Sequence, residues 1–247
     1  AMLLGCTALA ETPVLNLADE RYATSGQVIA VTASADVINT VKAGIFGAEP
    51  WTEQMRAEIE ARLHIKAYDI YGLSEISGPG VAFECEEQNG MHINEDYFYP
   101  EIIDPDTGEV LPDGEVGELA VKGPGVMDCY YKNKEATDEV LKGEWLYTGD
   151  MARMDEDGFI YLVDRKKDVV ISGGENLYPR EIEEFYLTHE KVRDVQVVGV
   201  PDKTFGEECC AWIILKKGET MTEDEMFALL ATDGMLVKRP VLVLDTG

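Results

Sequence analysis

The sequence predicts a mixed α/β protein of the α+β kind, built as a larger body with a small barrel or bent sheet, followed by a small α+β lid. Three observations predict it. At 247 residues and 45% hydrophobic content the chain can bury one large or two modest cores. Between about residues 90 and 163 the apolar runs are short and separated by Asp, Pro and Gly turns, which is the grammar of a β-rich unit. From residue 169 the grammar changes to strands alternating with amphipathic helices. The expected boundaries are a body over 1–163 with its barrel-like part at about 90–163, a hinge over 164–168, a lid over 169–230 and a tail over 231–247.

Residues 1–45 carry little pattern. Beyond Pro50, Trp51, Met55, Ile59 and Leu63 recur every four residues and predict a helix with one apolar face, capped by Thr52. Residues 67–71 form a short apolar run. Strands are expected at 101–103, 110–111 and 117–122, around turns at 104–108 and 112–114. A hairpin is expected from 151–154 and 159–163 across Asp155-Glu156-Asp157-Gly158. In the lid, residues 169–172 read as a strand. Pro179 opens a helix with Ile182, Phe185 and Tyr186 inward, and 195–200 and 211–215 are β-branched strands. Thr222 and Glu225 are spaced as a capping box for a last helix through Leu230.

Composition excludes several functions. Twenty-one basic against 48 acidic residues give a net charge of −27, which repels nucleic-acid phosphates and anionic lipid surfaces. An anionic ligand then needs a local pocket. Five scattered cysteines without CxxC spacing argue against a disulfide framework and fit a reducing cytoplasm. The opening AMLLGCTALA lacks a basic flank and is too short to span a bilayer, so no leader is expected; beginning without Met, the chain reads as a fragment or as the product of an unusual gene boundary. Cys85 and His92 are too few ligands for a structural zinc site.

Three motifs can carry chemistry. In Tyr71-Gly72-Leu73-Ser74-Glu75, Gly72 lets backbone approach a ligand, Ser74 offers a hydroxyl to phosphate and Glu75 can hold a hard cation. In Tyr147-Thr148-Gly149-Asp150, an acid after a glycine turn can accept both ribose hydroxyls. The run DRKKDVVISGGENLYPREIEE joins a charged hinge, a strand, Gly173-Gly174 and a Pro-initiated helix. Taken singly, each is also an ordinary turn, cap or linker.

Order and spacing add a resemblance. GIFGAEPWTEQMRAEIEARL, AYDIYGLSEISGPGVAFEC and EDYFYPEIIDPDTGEVLPDGEVGELA resemble phenylacetate-CoA ligases, within the adenylate-forming superfamily of acyl-CoA synthetases. KGPGVMDCYY, GEWLYTGDMARMDEDGFIYLVDRKKDVVISGGENLYPREIEE and VVGVPDKTFGEE are similar to the carboxy-terminal region of the wider superfamily. The resemblance implies a partial adenylate-forming enzyme body and an ATP-dependent acid–CoA ligase. Such an enzyme uses ATP/AMP, Mg²⁺ and coenzyme A on a small carboxylic acid, here an aryl acid. It implies that Gly47, Ala48, Glu49 and Pro50 form an adenine-side loop, that Asp69 faces the adenine amino group and that Tyr71 stacks on the ring. Ser74 would contact the α-phosphate, Glu75 would hold Mg²⁺, Asp150 with Arg165 would grip the ribose, Lys167 would be the hinge and Gly174 would line the pantetheine passage.

The chain also departs from that pattern. Thr24-Ser25-Gly26 lacks the companion Thr-Gly, Pro and Lys of the family's phosphate loop, and nothing after Leu215 matches its terminal Lys segment; Lys238 lies in VKRP. The tail from Leu229 departs as well. The alternative reading is a chain that only binds AMP or acyl-AMP, or serves as a partner domain. A shortened body exposes apolar surface, so oligomerisation is open.

Overall fold

A computed structural model describes residues 41–47, 52–232 and 241–245, and its strands gather into two sheets. The first holds β1 (Ala43–Phe46), β2 (Lys66–Leu73), β3 (Gly78–Glu84), β4 (Met91–Ile93), β5 (Tyr99–Ile103), β6 (Gly117–Lys122), β7 (Leu141–Lys142), β8 (Trp145–Met154) and β9 (Ile160–Arg165). Their order is β1-β2-β3-β4-β9-β8-β6-β5, with β7 beside β8. β1 and β2 are parallel; β8, for example, is antiparallel to both β6 and β9. Because β1 and β5 stand at opposite ends of the path, the sheet is open, and no barrel closes among the described residues.

Turn chemistry sets most of the registers. Asp155 Oδ1 accepts the amides of Asp157 and Phe159, and Gly158 sits at φ 83°, so the β8–β9 hairpin closes where its Asp and Gly residues allow it. Asp104 does the same for Asp106 and Thr107 after β5. Helix α1 (Glu53–Leu63) is capped by Thr52 Oγ1, which accepts from the Met55 amide at 3.2 Å. Its inward face differs from the sequence expectation. Met55 is 47% exposed, whereas Arg56 is 7% exposed. Arg56 is drawn inward by Glu84 and by the Ala67 carbonyl, both 2.7 Å away. Trp51 lies outside the described residues. A short helix, α2 (Lys134–Val140), is capped by Asn133.

The second sheet belongs to the C-terminal part, the expected lid. It contains β10 (Val170–Ser172), β11 (Glu175–Leu177), β12 (Val192–Asp202) and β13 (Gly206–Leu215) in the order β11-β10-β13-β12, with β14 (Val241–Asp245) parallel to β13. Gly173 and Gly174, both at positive φ, make the two-residue turn between β10 and β11. Helix α3 (Pro179–Leu187) starts at Pro179 and buries Ile182 and Tyr186. Helix α4 (Glu223–Thr232) opens on the expected capping box: Thr222 N donates to Glu225 Oε2 at 2.7 Å, and Glu225 N donates to Thr222 Oγ1 at 3.3 Å.

Two cores result, with no buried residue in common. One gathers Tyr71, Ile76, Val81, Leu119, Leu146 and Ile160 with their neighbours; the other gathers Val170, Ile182, Tyr186, Val197, Ile213 and Met226 with theirs. Each large aliphatic side chain so buried contributes about 1.5–3 kcal/mol. The lid core has one flaw. Tyr186 is 0% exposed and its hydroxyl finds no hydrogen-bond partner among the described residues. Tyr186→Phe is therefore expected to raise the unfolding free energy of the lid by about 1 kcal/mol, by removing a buried unsatisfied group. A urea titration checks it, and a loss of stability would show that the hydroxyl has a partner. No helix among the described residues is long and apolar enough to cross a membrane.

Candidate functional site

A cavity of about 830 Å³ separates the two sheets, a size that accommodates a nucleotide-scale ligand. Its floor comes from β2, the turn after it and the β8–β9 edge; its far wall comes from α3 and the β12–β13 pair.

Asp150 is the best-held acid in it. β6 and β8 lose register between Glu118 and Ala120: residues 148–150 stand against Leu119 alone, so β8 bulges there. Gly149 takes φ 72°, and its amide donates to Glu118 Oε1 at 3.1 Å. Thr148 Oγ1 donates to the Leu119 carbonyl and accepts from the Asp150 amide. Asp150 itself is 4% exposed. Its Oδ2 accepts from the Tyr71 hydroxyl at 2.6 Å, and its Oδ1 lies 2.9 Å from Arg165 Nε. Burial raises its pKa, the Tyr71 hydrogen bond and Arg165 oppose that, and the like charges of Glu118 and Glu75 reinforce it. Burial and Asp150 together push the Tyr71 phenol well above its usual range, so it remains a donor.

Glu75 lines the same cavity, in the 3-10 turn Ser74–Ile76 that follows β2. Its Oε1 accepts from the Tyr130 hydroxyl at 2.8 Å, and its Oε2 has no donor among the described residues. The two acids that the sequence singled out for ribose and cation thus share one cleft. Ser74, exposed, begins that turn, and Gly72 lies at a register shift between β2 and β3. Asp69 also lines the cavity, and burial, reinforced by Glu84, raises its pKa. Gly47 faces it too; a Cβ there would stand 2.4 Å from the Ile70 carbonyl oxygen, so only glycine permits this approach to β2. Arg165, at the end of β9, and Lys167, in the 3-10 turn after it, line it as well. Gly174 does not: it sits at the tip of the β10–β11 hairpin, away from the lining. Ala48, Glu49 and Pro50 lie outside the described residues.

Several residues at the site escaped the sequence reading. Glu118, 3% exposed, binds Lys166 Nζ at 2.8 Å and so ties the 3-10 turn after β9 to the body. Asp164 Oδ2 accepts from the Arg180 amide at 3.0 Å, in the first turn of α3, where the cap residue Tyr178 supplies no side-chain bond. Tyr130 holds Glu75. The only signal for it is the adjacent pair Tyr130-Tyr131, and spacing alone does not say which ring turns in; Tyr131 is 85% exposed.

The cleft lining carries seven carboxylates (Asp69, Glu75, Asp150, Asp164, Asp168, Glu183 and Glu207) against three cations (Arg165, Lys167 and Arg180). Such a wall disfavours a bare polyanion and favours one that arrives with a divalent cation.

Known proteins resemble the chain along most of its length. Residues 5–131 match the family model described as AMP-binding enzyme, and residues 181–242 match that of the AMP-binding enzyme C-terminal domain. A long-chain-fatty-acid–CoA ligase of Bacillus subtilis (strain 168) is 48% identical over 127 residues, which is 51% of this chain and 23% of the relative. A phenylacetate-coenzyme A ligase of Pseudomonas putida is 45% identical over 159 residues, which is 63% of this chain and 34% of the relative. The crystal structure of ATP-bound MatB from Rhodopseudomonas palustris is 29% identical and superposes with a TM-score of 0.72, over 82% of this chain and 41% of that one. The chain therefore spans only about a quarter to a third of the length of these two curated relatives. With the first match alone covering just over half the residues, and a solved structure superposing over most of the chain, this chain belongs to the AMP-binding enzyme family.

Proposed function

We propose that the chain contributes the nucleotide-holding site of an ATP-dependent acid–CoA ligase acting on a small aryl acid. The observation that carries this reading is the single cleft in which Asp150 and Glu75 meet beneath the lid. A carboxylate is a poor electrophile. In the proposed reaction its oxygen attacks the α-phosphorus of ATP, pyrophosphate departs, and the product is the mixed anhydride acyl-AMP. The thiol of coenzyme A then adds to the acyl carbonyl, AMP leaves, and a thioester forms.

The roles follow from position and chemistry. Asp150 uses two of its lone-pair sites on Tyr71 and Arg165, and the remaining two suit a pair of ribose hydroxyls. Arg165 stands beside it. Tyr71 offers an aromatic face to the purine, Asp69 an acceptor to its amino group, and the loop at Gly47 through Pro50 closes the adenine side. Ser74 is at the α-phosphate. The donor set suits Mg²⁺, which takes one or two carboxylates together with substrate phosphates. Glu75 keeps one oxygen without a donor among the described residues, at an acid-rich wall. When bound, that ion neutralises charge on the departing pyrophosphate.

The two half-reactions need two arrangements of one cleft, which rotation of the lid about Lys167 supplies. Rotation carries Gly174 from its hairpin tip to the pantetheine passage. The scattered cysteines, of which the four described are free, fit a cytoplasmic setting. The Pseudomonas relative supports an aryl acid, and the Bacillus relative makes an alkyl acid the competitor to test.

Acid-dependent ATP–pyrophosphate exchange tests the reading. Exchange with phenylacetate or benzoate above that with octanoate is the expected result. Bound AMP without exchange for any acid would assign the chain to nucleotide binding alone.

A further inference from the structure

Three hydrogen bonds fasten the loop after β6 to the turn that carries Glu75. Met127 N donates to the Glu75 carbonyl at 2.7 Å, Ser77 Oγ donates to the Gly125 carbonyl at 2.9 Å, and Tyr130 Oη donates to Glu75 Oε1 at 2.8 Å. The loop's far end is anchored in turn. Tyr130 N donates to Thr137 Oγ1 at 2.9 Å, and Thr137 Oγ1 donates to the Asn133 carbonyl at 2.8 Å, inside the capped first turn of α2. A flexible glutamate is thus gripped by one oxygen through a ring whose own backbone is pinned to a helix. Its other oxygen has no donor among the described residues.

We infer that Tyr130 is a positioning residue for cation binding. By holding Glu75 Oε1 it fixes the carboxylate so that Oε2 alone is presented to a divalent cation. The inference rests on the reading of Glu75 given above. A carboxylate free to rotate loses side-chain entropy each time it binds, and it can also turn both oxygens toward the ion. Holding it beforehand removes the first cost and prevents the second. Groups that orient a metal ligand are worth about 10–100-fold in metal affinity.

The test uses Mn²⁺ as probe and the 247-residue chain. Water-proton relaxation enhancement reports Mn²⁺ in the ternary complex with α,β-methylene-ATP, separately from any catalysis. Tyr130→Phe is expected to weaken Mn²⁺ in that complex by about 10-fold. Affinity for the metal-free nucleotide and the thermal midpoint should stay unchanged, which a merely structural role would not allow. Thr137→Ala keeps the phenol but frees its backbone anchor, and it is expected to give a smaller loss in the same direction. Glu75→Gln should give the largest loss. If Glu75→Gln weakens Mn²⁺ while Tyr130→Phe and Thr137→Ala do not, the positioning role is overturned and the cation role of Glu75 stands. If Glu75→Gln also has no effect, the reading of Glu75 falls, and the inference falls with it.

Discussion

Asp150→Ala is expected to weaken AMP binding by about 3 kcal/mol, roughly a hundredfold in Kd. The carboxylate is almost fully buried and already organised by Tyr71 and Arg165. The proposed ribose bonds would therefore carry little ordering cost and most of the value of a charged acceptor. The substitution also strands the Tyr71 hydroxyl in the body core, so the unfolding free energy should fall by about 1–3 kcal/mol as well. Asp150→Asn separates the two effects: it still accepts from Tyr71 and should recover stability while leaving nucleotide affinity low.

The same residue predicts a pH dependence whose sign differs between folding and binding. Burial raises the folded-state pKa of Asp150. Its contribution to stability is thus complete below the ordinary aspartate value and is lost as pH rises through the raised one. In the proposed role, Asp150 needs its ionised form to accept from both ribose hydroxyls. AMP affinity should therefore fall as pH drops through the raised value, above the ordinary aspartate value. Calorimetric titrations across the acid range check this, and an affinity that stays flat until ordinary aspartates protonate would refute it.

Arg56→Ala is expected to cost about 3–5 kcal/mol of folding free energy, the penalty for leaving a buried ion without its partner. Arg56 Nη1 and Nη2 each donate to Glu84 at 2.7 Å, Nη1 also reaches the Ala67 carbonyl, and both charged side chains are under 10% exposed. Glu84 Oε2 accepts in addition from the Asp69 amide at 2.7 Å. Removing the guanidinium leaves Glu84 charged in a poorly solvated place and loosens the start of the strand that carries Tyr71. The double variant Arg56→Met/Glu84→Leu removes both charges and should recover most of the loss. Urea unfolding midpoints decide it; a single-variant loss below about 1 kcal/mol, the scale of a surface ion pair, would contradict the buried-pair account.

What was legible in the sequence follows from how local each determinant is. The β8–β9 hairpin, the turn at 104–108, β6 and the two lid helices announce themselves through Asp, Gly, Pro and capping residues within a few positions, and they appear where expected. β1 is four residues of AGIF paired in parallel with β2, about twenty positions away, and no local signal marks it. β14 depends on β13 in the same way. The inward face of α1 departs from apolar periodicity at one place: Ile59 and Leu63 are partly buried as the spacing expects, but Arg56 replaces Met55, because the distant Glu84 and the Ala67 carbonyl draw the arginine in. Within the site, the acids in fixed motifs were legible. Their holders, Tyr130 and Glu118, were not, since each is selected by a partner in another strand or turn.

The Asp164 carboxylate belongs to the last strand of the body, yet it supplies the anion at the start of the lid's first helix. With the lid turning about 167 as proposed, these would separate and the Arg180 amide would lose that acceptor. Swing of the lid and fraying of that helix would then be one event. The bond would act as a detent at this orientation, and the hydrogen-exchange rate of a single amide would gauge how often it is passed.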